Sequence, residues 1–581
     1  MTAEDQNGKD VGTGQGRPTG LARYLPIVSW LPAYQKSWLR GDLIGGLSVW
    51  AVAVPMALGY ATISGVPVQY GLYAALAGLI AYALFTTSRQ VTEGPSSITA
   101  PVLGAGVLSI AAAGSDEAVA IAAAIVLAAG LLYLVFYVLR LGWLADFMST
   151  SVLTGFMFGV AINVSAGQLF SITGTESSGD NTWQKLWNWL ASLSNANTAT
   201  VVVGVGALLI VFGLKLAAPR IPGGLVVVVL GILATALFDL EARGVQLTAD
   251  VPRGLPTPVL PSLSLIRDNF DLIGGTAIGV MLIGFSVSTA ALREYATKHS
   301  YQIDVNQELL AQGMSNVSSG FVQGIFNDGS LSRSPINDQA GARSQMSNLF
   351  QAALIVLTLL LIAPLFSYLP QAVLAAVIIE AVVVGMMNVP EMKRLLVVKR
   401  AEFVIAIAAL LGVLTFGVLQ GVLVGVLLSL GWLVYMSYRP SIPELGREAG
   451  TDAFVDVASN PTAETRPDLA ILRFDGGLFY VNSSTLGDRL RELRIASAGA
   501  LKGVVLTMEG VDFIDAEGAD AMKEIAQASR DQGVDLRLAR VKANVLDVLR
   551  LDGVVDLIGE GHIHPNVAAA VQAYSDAQPA T

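Results

Sequence analysis

The sequence predicts a polytopic α-helical membrane domain built from two repeats of seven spans, followed by a small soluble α/β domain. Composition, a succession of apolar runs and two internal motif repeats predict this fold class. Of the 581 residues, 53% are hydrophobic and only 14% are charged, whereas soluble domains average about 25% charged residues. So much apolar surface cannot be buried in one soluble core, because cores stop growing and split into domains. Lipid is therefore the expected solvent for most of the chain.

The N-terminal segment, residues 1–41, precedes the first apolar run. Residues 1–20 are polar and rich in glycine, without the apolar core of a signal peptide. We therefore expect a disordered tail there. Residues 21–40 combine Trp30 and Trp38 with basic side chains, a composition typical of a segment that lies at the membrane interface.

Hydrophobic runs separated by short polar breaks fill residues 42–439, which we predict to be the transmembrane domain. A membrane-spanning helix needs about 20 predominantly apolar residues. We predict spans at 42–62, 69–86, 95–112, 118–139, 147–166, 198–215, 222–239, 272–290, 305–323, 331–345, 348–367, 371–387, 402–418 and 420–438. Several of these runs are short or rich in glycine, which is typical of the discontinuous helices of transporters.

The distribution of basic residues predicts the orientation. With the N-terminus inside, the inner loops hold Arg89, Arg140, Lys215, Arg220, Arg293, Lys298, Lys393, Arg394, Lys399, Arg400 and Arg439. The outer loops then hold only Lys185, Arg243, Arg253 and Arg267. This is the positive-inside bias. An even number of spans returns the C-terminal domain to the cytoplasm, and we expect the protein in the plasma or inner cell membrane.

Two short motifs recur in the same order in the two halves. Asp-Leu-Ile-Gly-Gly opens the first span at 42–46 and the eighth at 271–275. Glu-Gly-Pro-Ser-Ser at 93–97 precedes the third span, and Asp-Gly-Ser-Leu-Ser at 328–332 precedes the tenth. The recurrence suggests a seven-plus-seven repeat. An inverted repeat with its binding site between the halves is a recurring transporter design.

The third and tenth spans both begin with glycine and small hydroxyl residues. If each begins as a half-helix in mid-membrane, its free backbone N–H groups and positive dipole end make a site for an anion. Ser96, Ser97, Ser330 and Ser332 would add hydroxyl donors, and Arg333 a fixed positive charge. Close helix packing alone would also explain the small residues. A buried cation in a span is costly and usually functional, so Arg333 favours the anion site.

The composition changes after residue 438. Residues 440–467 form a polar, proline-containing stretch that we predict to be a linker. Residues 468–577 alternate strand and helix patterns, which predicts a small α/β domain. The predicted strands lie at 469–474, 504–508 and 534–539. The predicted helices lie at 484–495, 516–529 and 544–551.

From about Asp42 to the C-terminus the chain resembles the SulP family of anion transporters, the sulfate permeases and their relatives. The resemblance is carried by DLIGGLSVWAVAVPMALGYA at 42–61, GVPVQYGLYAA at 65–75, SRQVTEGP at 88–95, DVNQELLAQG at 304–313 and GSLSRS at 329–334. It implies fourteen spans in two inverted repeats, with a core domain that carries the substrate and moves against a gate domain. It also implies an anion site between the half-helices of spans three and ten, beside span one. The matching substrate-binding positions are Met56, Tyr60, Gly94, Pro95, Ser96, Ser97, Gly329, Ser330, Leu331, Ser332 and Arg333.

The chain departs from the family pattern at two positions. Many members have glutamine after the proline of span one, where this chain has Met56, and many have an acidic residue tied to coupling in span eight, where this chain has Val287. Carboxylates occur instead at Glu93 and Asp328, just before the half-helix glycines, and at Glu380 inside span twelve. Helix capping would explain Glu93 and Asp328, and the alternative hypothesis is that they hold coupling protons or a cation. Glu380 lies deep in an apolar run, which favours a functional or gating role.

The soluble domain resembles a STAS domain through VVLTMEGVDFIDAEG at 504–518. In anti-sigma-factor antagonists the corresponding turn holds a phosphorylatable serine, whereas here it reads Asp515-Ala516-Glu517-Gly518. We therefore expect no phosphorylation switch. The domain either binds a cytoplasmic partner, packs against a second copy of itself, or serves only as a structural cap.

The leading interpretation is a secondary active transporter of a small anion that works by an elevator-type movement, with proton coupling as a hypothesis. Sulfate, bicarbonate, chloride and dicarboxylates all lie within family range, and the sequence does not choose among them. One alternative is a proton-coupled nucleobase carrier of the same fold, which Glu93 and Asp328 favour and Arg333 opposes. A second alternative is an anion channel or a motor-like protein.

Other classes of function are not indicated by the sequence. No nucleophile–base pair or metal cluster points to an enzyme, and we expect no cofactor and no metal. The net charge of −10 argues against a nucleic-acid partner. The expected partners are the small anion, the lipid bilayer and a second copy of the chain in a homodimer.

Overall fold

The computed structural model describes residues 20, 24–143, 149–218, 221–249, 251–497 and 499–578. The predicted tail, residues 1–20, lies outside the described residues apart from residue 20. The chain divides into two compact units, Met1–Ser429 and Leu430–Thr581. The predicted domain limits stay predictions.

The first unit is mainly helical, and α18 continues from it into the second unit. Its helices are α1 (Ile27–Trp30), α2 (Leu39–Ile63), α3 (Gln69–Phe85), α4 (Ala100–Val107), α5 (Asp116–Val138), α6 (Thr150–Thr173), α7 (Thr182–Ser192), α8 (Thr198–Ala217), α9 (Gly223–Phe238), α10 (Leu263–Asp268), α11 (Phe270–Lys298), α12 (Val305–Phe321), α13 (Ser334–Gln339), α14 (Met346–Leu357), α15 (Gln371–Met386), α16 (Val389–Val398), α17 (Arg400–Phe416) and α18 (Val418–Tyr438). Two three-residue strands, β1 (Glu93–Pro95) and β2 (Asn327–Gly329), precede α4 and α13.

The predicted spans correspond to these elements in order. Within the described residues, 7 helical segments are long and apolar enough to cross a membrane, and shorter apolar helices lie between them. The third and tenth spans are exceptions, because each consists of a strand followed by a short helix. The helix of the tenth span covers only Ser334–Gln339 and ends before the predicted limit of 345, because Gly341 adopts a left-handed conformation with φ +90° that stops the helix.

The two strands pair with each other and join the two repeats. The pair is antiparallel, with Glu93 opposite Gly329 and Gly94 opposite Asp328. Both strands are buried. Strand pairing satisfies the backbone N–H and C=O groups of an extended segment, which is required at membrane depth because no bulk water is available there.

The helices pack in two groups, which we call the site-bearing group (α2–α5 and α10–α14) and the flanking group (α6–α9 and α15–α18). The first group surrounds the strand pair. Helix α2 contacts both α9 and α15, so it lies where the groups meet. In the flanking group, a Cβ on Gly155 of α6 would overlap the backbone carbonyl of Ala406 in α17. Such small residues allow helices to approach closely in lipid.

The second unit is a sheet covered by helices. Its elements are β3 (Leu445–Arg447), β4 (Phe454–Asp456), β5 (Leu469–Arg473), α19 (Ser483–Ala496), β6 (Gly503–Thr507), α20 (Ala516–Asp531), β7 (Asp535–Ala539), α21 (Ala543–Leu551), α22 (Val554–Ile558), β8 (Ile563–His564) and α23 (Val567–Ala577). The main sheet is parallel, with strand order β5-β6-β7-β8, because helices connect its successive strands. The predicted strands and helices agree with this unit to within two residues. The β3–β4 hairpin lies in the stretch predicted as a linker, where strands of three residues are too short to show alternation.

Candidate anion site

A cleft lies beside the paired strands, where the two repeats meet. It is lined by Tyr60, Pro95, Ser96, Ser97, Ile98, Val287, Ser330, Leu331, Ser332, Arg333 and Gly385. The cleft has about 20 Å³ of interior space. One water molecule needs about 10–15 Å³ by this measure, so the cleft suits only a small ligand.

The structure brings most of the predicted substrate residues together. Eight of them line the cleft, namely Tyr60, Pro95, Ser96, Ser97, Ser330, Leu331, Ser332 and Arg333. Gly94 and Gly329 lie within the paired strands. Met56 does not line the cleft and packs against the apolar core instead.

Three lining residues were not predicted as substrate contacts. Ile98 follows the predicted pair of serines, and Val287 occupies the span-eight position discussed above. Gly385 comes from α15 in the flanking group, and a Cβ there would lie 4.0 Å from Ser97 Oγ. A glycine in an apolar helix gives no sequence signal of a binding site. Its position means that both helix groups line the cleft.

Arg333 supplies the positive charge of the cleft. It is the N-cap residue of α13 and only 1% exposed. Among the described residues, its two terminal nitrogens, Nη1 and Nη2, have no hydrogen-bond partner. Leaving a buried charged group without hydrogen bonds is costly. A bound oxyanion would satisfy both nitrogens, because a guanidinium matches such ligands in bidentate geometry.

Gly94 makes room for this guanidinium. Its φ is +146°, a backbone conformation that favours glycine. A Cβ at Gly94 would lie 2.8 Å from Arg333 Nη1. Any larger residue would therefore strain the backbone of β1 and displace the arginine.

The carboxylates of the strand pair are fully buried but point to other helices. Glu93 accepts hydrogen bonds from Gln312 Nε2 and Ser315 Oγ of α12, both at 3.0 Å. Asp328 accepts one from Thr99 Oγ1 at 3.0 Å, and its other oxygen has no partner among the described residues. Thr99 is the N-cap residue of α4. Asp328 thus contacts the start of the short helix in the opposite repeat, and neither carboxylate residue lines the cleft.

Glu380 is separate from this pair. Its carboxylate lies 3.8 Å from Lys215 Nζ of α8, and the two side chains are 13% and 51% exposed. Both helices belong to the flanking group, so the structure places the third predicted coupling residue in an ion pair of that group. In the described part of the chain, no group of three or more His, Cys, Asp or Glu could hold a metal ion.

Buried amides of α14 and of its N-cap residue, Gln345, hold the segment that leads into β1, a feature that was not predicted. The Thr92 hydroxyl donates to Asn348 Oδ1 at 2.6 Å. Asn348 Nδ2 and Gln345 Nε2 donate to the carbonyl of Val91 at 3.1 and 3.0 Å. The signal in the sequence was the spacing of Gln345, Asn348 and Gln351, which places three amides on one face of an apolar helix.

The turn at residues 515–518 of the second unit forms the N-terminal cap of α20. Asp515 is the N-cap residue of α20, and its carboxylate accepts from Gly518 N at 2.7 Å and from Tyr480 N at 3.0 Å. Such a cap satisfies free N–H groups at the start of the helix. The side chain is therefore engaged in holding the turn.

Comparison with protein families gives two matches. The model of the sulfate permease family matches residues 39–409, and the model of the STAS domain matches residues 460–570. A probable sulfate transporter of Mycobacterium tuberculosis is 32% identical over 95% of this chain and 98% of its own length. High affinity sulfate transporter 2 of Stylosanthes hamata is 28% identical over 98% of this chain and 89% of its own.

The solved structures that are similar to the chain include two of related transporters. The structure of murine solute carrier 26 family member A9, an anion transporter in the inward-facing state, has a TM-score of 0.85 at 23% identity and covers 95% of this chain and 94% of its own. This likeness concerns the fold, and it confirms the predicted class of two inverted seven-span repeats followed by a STAS domain. The transmembrane domain of a cyanobacterial bicarbonate transporter has a TM-score of 0.60 at 26% identity, covering 68% of this chain and 99% of its own.

Proposed function

The chain belongs to the sulfate permease family of anion transporters, and from this premise we propose that it is a secondary active transporter of sulfate. The relatives in Mycobacterium tuberculosis and Stylosanthes hamata are named as sulfate transporters, not as enzymes. The observation that carries the proposal is Arg333, a buried cation in the cleft whose terminal nitrogens lack partners among the described residues.

Sulfate is held in this proposal by groups from both repeats. The Arg333 guanidinium donates to two sulfate oxygens, and the hydroxyls of Ser96, Ser97, Ser330 and Ser332 donate to the others. The remaining lining is largely apolar and strengthens these hydrogen bonds by lowering the local dielectric constant. The site thereby replaces the hydration shell of the anion.

Transport proceeds by an elevator-type movement of the site-bearing group against the flanking group. The support is that Gly385 of the flanking group closes one side of a cleft whose other lining residues come from the site-bearing group. Because Gly385 has no side chain, it presents little obstacle when one helix group slides past the other. Sliding carries the anion, Arg333 and the serines together across the membrane.

Coupling is proposed to be proton–anion symport without sodium. Val287 can neither hold a proton nor ligate a cation, whereas Glu93 and Asp328 are fully buried on the strands beside the cleft. An anion that binds beside Arg333 adds negative charge near both carboxylates. Proton uptake by one of them offsets that charge, so the two ions move together.

The arrangement in the membrane is part of the same proposal. Residues 42–439 form the transport domain, residues 440–467 link it to the STAS domain at 468–577, and the N-terminus and STAS domain lie in the cytoplasm. The basic residues of the predicted inner loops support this orientation. The protein works in the cell membrane as a homodimer.

The test is uptake by purified protein reconstituted into liposomes. Radiolabelled sulfate, bicarbonate, chloride, succinate and uracil are offered separately, and we expect saturable uptake of sulfate that unlabelled sulfate competes. Bicarbonate is the second candidate, because the chain resembles the transmembrane domain of a bicarbonate transporter. Uptake of uracil without any anion would instead establish a nucleobase carrier, and a flux that does not saturate would establish a channel.

A further inference from the structure

Helix α16 lies between spans twelve and thirteen and buries little of its surface. Of its apolar residues, Leu395 is 2% exposed. Val389, Leu396, Val397 and Val398 are 44%, 47%, 84% and 64% exposed. Contiguous exposed apolar side chains of this kind mark a surface that contacts another apolar phase or partner.

The same segment is basic. Four exposed residues carry the charge, namely Lys393, Arg394, Lys399 and Arg400. Arg394 forms a bidentate ion pair with Glu391, at 2.8 and 2.6 Å, and Lys399 Nζ lies 3.9 Å from Glu402. Among the residues that the structure describes, Lys393 and Arg400 have no ion-pair partner, so two cations are free to bind an anionic group.

Exposed apolar side chains also occur in the next helix, α17, which is predicted to span the membrane. There Val404, Leu411 and Phe416 are 64%, 46% and 64% exposed, and we expect them to face lipid. Lys393 is four residues from both Val389 and Val397, so the three share a helix face. A lysine in that position extends its methylene stem over the apolar surface while its ammonium reaches the headgroups.

We propose that α16 is an in-plane helix of the inner leaflet, where Lys393 and Arg400 bind the headgroup of an anionic phospholipid. An apolar surface beside unpaired cations matches a ligand that has both acyl chains and a negative charge. The proposal rests on the proposed orientation, in which this loop is cytoplasmic. A lipid held there anchors the flanking group against which the site-bearing group moves.

The first test measures lipid retention. Full-length protein is reconstituted with phosphatidylethanolamine and phosphatidylglycerol, re-extracted, and its bound phosphatidylglycerol is counted by native mass spectrometry. Each basic residue near an anionic surface contributes roughly a fivefold effect, so K393Q/R400Q should bind phosphatidylglycerol roughly 30-fold more weakly. The control R243Q/R253Q, which removes the same charge from exposed residues of the predicted outer loops, should bind it like the wild type. Equal retention by K393Q/R400Q and wild type overturns the proposal, as does displacement of the lipid by inorganic phosphate.

The second test measures the depth and side of the helix. The chain has no cysteine, so V397C can carry a single fluorophore, with T451C in an exposed loop of the second unit as the control. We expect phospholipids brominated on their acyl chains to quench the label at residue 397 and not the label at 451. A water-exposed label at 397, or reaction of V397C with an impermeant thiol reagent outside intact cells, overturns the inner-leaflet placement. These measurements need no transport, so an absence of sulfate uptake would reject the proposed function separately.

Discussion

A single buried arginine and the glycine opposite it set the chemistry of the cleft at the scale of residues. Arg333 carries its charge into a site where its terminal nitrogens have no protein partner among the described residues. Gly94 leaves the space that the guanidinium occupies. In the proposed function, an anion that binds offsets the cost of this buried charge, so we expect affinity for the anion to depend on both residues.

Replacing Arg333 with alanine should weaken sulfate binding by roughly 10- to 100-fold, because a hydrogen bond to a charged group contributes about 1.5–3 kcal/mol. Arg333→Lys should recover part of the affinity, since lysine keeps the charge but not the bidentate geometry. Isothermal titration and the concentration dependence of uptake measure both variants. The control is Arg343→Ala, at an exposed position on the following loop. Unchanged affinity of Arg333→Ala for every transported anion would remove Arg333 from the site.

Gly94→Ala should also weaken sulfate binding, because its Cβ would displace the Arg333 guanidinium. The substitution also strains the backbone at φ +146°, at a cost of about 1–3 kcal/mol, which a lower Tm would report. Gly274→Ala in α11 is the matched control, since a Cβ there meets nothing within 4 Å. In an Arg333→Ala background, Gly94→Ala should cause no further loss of affinity. Additive losses would show that the two residues act independently.

At the scale of elements, the β1–β2 pair interrupts the third and tenth spans and brings the two repeats into contact. It joins the two repeats, presents the starts of two short helices to the cleft and carries a buried carboxylate on each strand. Glu93 is held by α12, and Asp328 by the first residue before α4. Protonation of either carboxyl would therefore change hydrogen bonds to α12 or to the start of α4, the elements next to the proposed anion site.

An acidic outside medium should accelerate sulfate uptake into proteoliposomes of the wild type, because protons then move inward with the anion. Glu93→Gln or Asp328→Asn should remove this dependence on the pH gradient while preserving exchange of sulfate across the membrane. Glu380→Gln is the control, since its residue pairs with Lys215 in the flanking group. Wild-type uptake that ignores the gradient or requires sodium would contradict the hypothesis. Loss of the pH response only in Glu380→Gln would move the coupling group to the flanking helices.

The turn before α20 should carry no phosphate in protein isolated from its native cells. Residues 515–518 contain no hydroxyl side chain, and Asp515 already caps the helix. Intact-mass and peptide mass spectrometry of this segment check the prediction. Phosphate found on any residue of the turn would contradict this prediction and indicate a phosphorylation switch like that of anti-sigma-factor antagonists.

At the scale of the whole molecule, the sulfate permease match and the STAS match cover separate parts of the chain. The cleft is built entirely by residues of the first unit. The second unit has its own apolar core beneath a parallel sheet. Substrate choice is therefore expected to reside in the first unit.

Deleting residues 440–581 should lower thermal stability or dimer formation more than it changes the order of preference among anions. Size-exclusion chromatography with light scattering measures the dimer, and the liposome uptake panel measures preference. The same panel run on full-length protein is the control. A deletion that changes which anion is transported would assign a role in selectivity to the second unit.

The sequence by itself determined the number and order of the membrane-spanning segments, because the thickness of the bilayer fixes the length of an apolar run. It also identified most residues that line the cleft. Ser96, Ser97 and Arg333 lie at the starts of interrupted spans, where polar residues are conspicuous among apolar neighbours. The strands and helices of the second unit were predictable from local periodicity, because each is specified within a few consecutive residues.

Only the tertiary structure decided which helix faces meet. Glu93 and Asp328 are similar in sequence context, yet one contacts α12 and the other contacts Thr99 of the opposite repeat. Gly385 lines the cleft and Met56 does not, although Met56 was the predicted contact and Gly385 has no side chain to suggest one. These outcomes depend on packing between segments hundreds of residues apart. Because lipid-facing and protein-facing surfaces of a span are equally apolar, the sequence of a single helix does not record which side its neighbours occupy.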